Sequence, residues 1–128
     1  MNAGDTLIVA IPGTSLDSHL WFVISDPEAD PAHVVIVNMT SWRSDKDQAC
    51  VLDVGDHPYV SKKTCVNYSD AKIHPSDDLA RLLTCGKIQS HAACSASLLS
   101  RIRNSIADSR MKMGVVELLV SQGVIEDS

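Results

Sequence analysis

His19-Leu-Trp-Phe-Val-Ile-Ser25 and His33-Val-Val-Ile-Val-Asn-Met-Thr40, joined by Asp26-Pro-Glu-Ala-Asp-Pro-Ala32, decide the fold. Both runs are rich in β-branched and aromatic residues, and the join is a cluster of Asp and Pro turn formers. The pattern predicts an antiparallel hairpin. Its second arm is continuously apolar rather than alternating. That predicts burial on both faces, or a sheet curled enough that both sides meet apolar neighbours. A hairpin sets the start of one arm beside the end of the other. His19 is therefore expected close to Thr40 and Ser41.

Working outward, Thr6-Leu-Ile-Val-Ala-Ile-Pro12 reads as a strand stopped at Pro12-Gly13, and Thr14 to Ser18 as a polar loop. Ser41 to Gln48 is a second polar loop. Cys50-Val-Leu-Asp-Val54 is a short strand ended by Gly55-Asp56, and His57-Pro-Tyr59 leads into an extended stretch. Thr64-Cys-Val-Asn-Tyr68 is a fifth strand, continued by Ala71-Lys-Ile73. Five short strands between turn signals predict a small curled antiparallel barrel or sandwich over residues 6–73, with closure removing exposed edges.

After Pro75 the pattern turns helical, over residues 76–125. Ser76-Asp-Asp starts a helix whose Leu79, Leu82 and Leu83 share a face, and Cys85-Gly86 ends it. A second helix begins near Ser95, with Leu98, Leu99, Ile102 and Ile106 on one stripe. Arg101, Arg103 and Arg110 fall off that stripe and are expected in solvent. Val115 to Val120 is a third apolar segment. The whole chain reads as one mainly β domain, 1–128, with helices packed on one face or end of the barrel.

The net charge is −5. Nucleic-acid binders usually carry a basic surplus, because phosphate contacts dominate their affinity. An RNA role here needs a local basic patch, and no DNA target is expected. Cys50, Cys65, Cys85 and Cys94 show no C-x-x-C spacing, and the Met1 end lacks a secretion signal. Reduced thiols, no metal, no cofactor and no membrane span are expected, so the compartment expected is the cytoplasm. Nucleotide-binding glycine loops and H-E-x-x-H are absent from the sequence.

Three polar clusters interrupt the strands: Ser18-His19, Thr40-Ser41-Trp42-Arg43, and Gly55-Asp56-His57-Pro58-Tyr59. Loops at one end of a rigid scaffold are natural sites. His19 and His57 are candidate acid and base, since imidazole titrates near neutrality. Against this, His19 reads equally as a surface histidine at a strand end, and His57 as part of a shaped turn. Thr40 and Ser41 are candidate donors to a phosphate, or ordinary turn hydroxyls. Trp42 is placed to stack on a nucleobase or to pack over the barrel mouth. Arg43, Lys46 and Tyr59 complete the candidate RNA-binding set. His33, His74 and His91 have no convergent partners in this reading.

This arrangement resembles the MazF/PemK family of growth-inhibiting toxins. There an arginine and a proline precede an apolar second strand ending in Ser, as His19 to Ser25 does here with histidine at the arginine position. The family's apolar third strand ends in Thr-Ser or Thr-Thr, as Val34 to Ser41 does here. The resemblance covers roughly residues 6–73. It implies an SH3-like barrel and a metal-independent endoribonuclease acting on single-stranded RNA as a homodimer, restrained by a cognate antitoxin. The family's catalytic threonine carries onto Thr40. Two other readings stand beside it: a non-catalytic SH3-like protein-interaction module, and an inactive toxin relative that keeps antitoxin binding.

Overall fold

The computed structural model describes residues 1–11, 16 and 19–126. Its strands are β1 (Thr6–Val9), β2 (Trp21–Val23), β3 (His33–Ser41), β4 (Val51–Leu52), β5 (Thr64–Pro75) and β6 (Ile88–His91). Its helices are α1 (Ser76–Thr84), α2 (Ala96–Asn104) and α3 (Met113–Ser121), with a 3-10 turn at Ile106–Asp108. The strands form one antiparallel sheet in the order β4-β5-β3-β2-β1-β6.

The β2–β3 hairpin is built by its turn. The Asp26 carboxylate accepts from Glu28 N–H at 3.0 Å, and that of Asp30 accepts from Ala32 and His33 N–H at 3.0 and 3.2 Å. These are the local side-chain bonds by which aspartate closes turns. The Ser25 hydroxyl then accepts from Val35 N–H at 2.9 Å. β3 is buried from Val34 through Met39, as its unbroken apolar run predicts.

The sheet is not a closed barrel. Among the described residues β4 and β6 are its two ends, and no ladder joins them. Closure is replaced by helices on both faces, and this also corrects the expectation of helices on one face or end. Leu79 and Leu82 of α1 pack with Leu7, Trp21, Val23, Val34, Ile36 and Ile88. Leu98, Ile102, Ile106, Val115 and Leu119 cover the opposite face against Phe22, Val35, Val37, Val66 and Tyr68. A sheet with both faces covered by helices has no need to curl shut. Its ends are blunted instead, one by a two-residue strand and the other by exposed Gln89 and Ser90.

β6 is the element absent from the sequence reading. It pairs with β1 from Thr6–His91 to Val9–Ile88. β5 runs unbroken to Pro75, with a bulge where Val37 alone spans Tyr68 to Ala71. Two side chains, one buried and one half-buried, hold α2 to the sheet. The Tyr68 hydroxyl donates to Ile102 O at 2.8 Å. Arg103, expected in solvent, donates to Ile24 O at 2.9 Å and Ser25 O at 3.1 Å. Arg101 and Arg110 are also tied to carbonyls, of Val51 and Asp45.

Arg103 thus satisfies strand-end carbonyls of β2 that no ladder reaches. Hydrogen bonds from a charged donor are worth about 1.5–3 kcal/mol. Arg103→Ala is expected to lower unfolding stability by about 2 kcal/mol in urea titration. A loss near zero would show that the guanidinium is only decorating the surface.

Candidate functional site

The hairpin register delivers the juxtaposition expected of it. Trp21 faces Asn38, and Met39 N–H donates to Leu20 O at 3.3 Å, so the pairing continues toward His19 and Thr40. Both residues line one open-mouthed cavity of about 130 Å³, together with Leu20, Met39, Ser41, Tyr59, Ser61, Lys62 and Thr64. At roughly 30 Å³ per water, that volume holds a few waters or one tetrahedral anion with solvent. It is well below the ~300 Å³ of pockets that enclose a drug-sized ligand. A substrate would insert one group and leave the rest on the surface.

The two sides of the cavity come from different elements. Thr40 and Ser41 end β3, and Ser41 pairs with Thr64 at the start of β5. Trp42 N–H donates to Lys63 O at 3.1 Å, which holds the 61–64 segment beside the end of β3. The Thr64 hydroxyl donates to Lys62 O at 2.8 Å. Ser61 and Lys62 are exposed and lie outside the three polar clusters of the sequence. The adjacent pair Lys62-Lys63 was the signal that could have found them.

Of the eight expected site residues, His19, Thr40, Ser41 and Tyr59 line the cavity, and His57, Trp42, Arg43 and Lys46 do not. Trp42 is 36% exposed at the adjoining rim. Its indole N–H donates to Gln48 Oε1 at 2.6 Å, and the Lys63 ammonium lies 4.2 Å from its ring centroid. Gln48 also donates to Arg43 O and Lys46 O, which fixes the loop. The Arg43 guanidinium is paired with Asp45. Lys46 is half-buried in the same loop.

His57 is 3% exposed. Its Nδ1 accepts from Tyr59 N–H at 3.1 Å, which leaves the proton on Nε2, 2.5 Å from Ala92 O. The ring is therefore the neutral Nε2–H tautomer with both nitrogens occupied. The preceding turn needs Gly55 at φ +104°. Asp53 N–H donates to the Asp56 carboxylate at 2.8 Å, and Arg101 pairs with the same carboxylate at 3.0 Å. His91 gains partners that its sequence did not reveal: its ring lies 5.6 Å from that of His57 and 5.5 Å from that of Tyr59.

No group of three or more His, Cys, Asp or Glu side chains gathers in metal-binding geometry among the described residues. All four cysteines are free thiols. Burial pushes the Cys50, Cys65 and Cys94 thiols up, away from the reactive thiolate. No helix of the described residues is long and apolar enough to cross a membrane.

Two outcomes follow. A colourless-to-yellow thiol reagent is expected to modify exposed Cys85 first, and Cys50 and Cys65 only as the protein unfolds. Equal rates at all four would contradict the burial. The Asp53 N–H, and then Arg101, hold the Asp56 carboxyl below the usual range. A carboxyl depressed in the folded state stabilises it fully above the unfolded value, about pH 4, and that contribution fades as pH falls through the folded value. Asp56→Asn should therefore cost about 1 kcal/mol at pH 7 and less near pH 3, read from denaturant titrations at both pH values.

No family model, no curated protein and no solved structure matches the chain.

Proposed function

We propose that the cavity is the active site of a metal-independent endoribonuclease acting on single-stranded RNA. The observation that carries this reading is the lining itself. One small open cavity is lined by His19, Thr40, Ser41, Tyr59, Ser61 and Lys62, residues that carry an imidazole, hydroxyls and an ammonium. Those are the parts that cleavage by the ribose itself requires. His19 takes the proton of a 2′-hydroxyl, whose oxygen forms a bond to the adjacent phosphorus. Lys62, Thr40 and Ser41 stabilise the charge on the phosphorane oxygens. The bond from phosphorus to O5′ breaks, and O5′ takes a proton from the Tyr59 hydroxyl, which solvent restores. The products are a 2′,3′-cyclic phosphate and a 5′-hydroxyl, with no oxidant or metal consumed.

The strand that ends in Thr40-Ser41 and the hairpin that faces it with His19 also support kinship with MazF/PemK toxins and an SH3-like arrangement of β1 to β5. On that kinship the chain acts in the cytoplasm as a homodimer and is restrained by an antitoxin protein. Trp42 at the rim suits a flanking base, with the Lys63 ammonium beside its ring and Lys46 in the same loop for the backbone, while Arg43 is already paired with Asp45. A second reading is a non-catalytic module that takes a protein partner at the same mouth. It is favoured by the charge of −5 and by the pairing of Arg43 with Asp45.

Purified protein in EDTA is expected to cut a single-stranded RNA and leave cyclic phosphate ends. A 2′-deoxy residue at the cleaved position should block it. His19→Ala is expected to lower kcat about 10²–10⁴-fold, the usual worth of a positioned base. Thr40→Ala should cost about tenfold or more through the lost donor. Intact RNA with wild-type protein sinks the ribonuclease reading and leaves the binding module.

A further inference from the structure

Two ends of Tyr59 are held by histidines outside the cavity. Its backbone N–H donates to His57 Nδ1, and its ring meets the edge or face of His91 at an interplanar angle of 82°. The same Tyr59 walls the pocket beside His19 and Thr40. His57 is in turn anchored to the far edge of the sheet. Its Nε2–H donates to Ala92 O, just past β6, and that carbonyl also accepts from the Thr6 hydroxyl at 2.8 Å. The Phe22 ring, 5.9 Å away, stands edge-on to the imidazole. His91 Nδ1 is buried with no hydrogen-bond partner among the described residues, and the ring packs against those of His57 and Tyr59.

We infer that His57 is a positioning residue, which with His91 sets the placement of Tyr59 in the pocket wall; this rests on the pocket being the ribonuclease site and on Tyr59 being its acid. The buried imidazole is closed to substrate because both its nitrogens are engaged. Its effect reaches the chemistry only through the residue it holds. Displacing a reacting group by about an ångström is enough to cost up to ~10²-fold in rate, and a single acceptor under Tyr59 N–H decides such a displacement here.

The two halves of the His57 contact are separable. His57→Gln keeps an amide N–H that reaches toward Ala92 O but takes the acceptor away from Tyr59 N–H. His57→Asn keeps an acceptor for the N–H two residues on, as asparagine does in turns, and gives up Ala92. Cleavage of one RNA oligonucleotide in EDTA is measured for wild type, both variants, Tyr59→Phe and His57→Gln/Tyr59→Phe, with folding checked by circular dichroism. The expected result is a kcat about tenfold lower for His57→Gln with KM nearly unchanged, and His57→Asn within about threefold of wild type. In the Tyr59→Phe background His57→Gln should cost nothing further, since coupled residues are not additive. If His57 only anchors β6, the ranking reverses: Asn is the damaged variant, and the double variant loses the sum. Either finding overturns the inference while the ribonuclease reading stands. A wild-type protein that cuts no RNA removes both. Should His57→Gln not fold, the same cycle with His91→Leu decides, with additive losses again counting against it.

Discussion

From Val34 to Met39, strand β3 has no solvent-facing side. Six consecutive buried residues need apolar partners above and below the sheet. Apolar burial is worth about 25 cal/mol per Å², so exposing either face of β3 would cost several side chains' worth of stability. The molecule meets this with α1 on one face and α2, the 3-10 turn and α3 on the other. Since β3 lies between β2 and β5, its two ends also fix where the neighbouring loops emerge. The cavity forms at the end where β3 stops being apolar, at Thr40 and Ser41.

The same constraint explains the polar contacts of the helical layer. A helix laid over a sheet covers strand-end carbonyls that water would otherwise solvate, and a buried carbonyl needs a donor. Arg103 supplies it to Ile24 and Ser25, and Tyr68 donates to Ile102 from the sheet side. Gln122, beyond α3, reaches the β2–β3 turn through Asp26 N–H and the Asp30 carboxylate. The turn that sets the His19–Thr40 register is thus braced by the C-terminal layer.

The hairpin was legible because its information is local: two apolar runs, Asp and Pro between them, and a register set by the turn. The helix starts at Ser76 and near Ser95 and the stop at Cys85-Gly86 were legible for the same reason. What was not legible depends on distant partners. Ile88-Gln-Ser-His91 has one buried apolar residue, and its strand state comes from pairing with β1. The stripe of Leu79 and Leu82 announces an apolar face without saying which side of the sheet it meets. His57-Pro58 reads as a turn, and nothing near it in sequence announces Ala92, 35 residues on, as its acceptor. Lys62 enters the lining because Trp42 holds its segment from across the sheet, again a contact invisible in either stretch alone.

The acidic balance and an anion-sized pocket are compatible because the arginines are committed elsewhere. Arg43 pairs with Asp45, Arg81 with Asp78, Arg101 with Asp56, and Arg103 and Arg110 bond backbone carbonyls. Lys62 enters none of the ion pairs seen among the described residues, and its place is in the cavity lining. At physiological ionic strength charges are screened beyond about 8 Å. The excess carboxylates on distant surfaces therefore weigh less at the pocket than one lysine in its wall. If the proposed RNA substrate is the ligand, they act instead on its approach, slowing encounter with a polyanion and leaving recognition to short-range contacts with one inserted phosphate. On the proposed ribonuclease reading, a site of this size selects chain segments that present one phosphate without burying their bases. A flexible single strand meets that condition, and a stiff duplex meets it poorly.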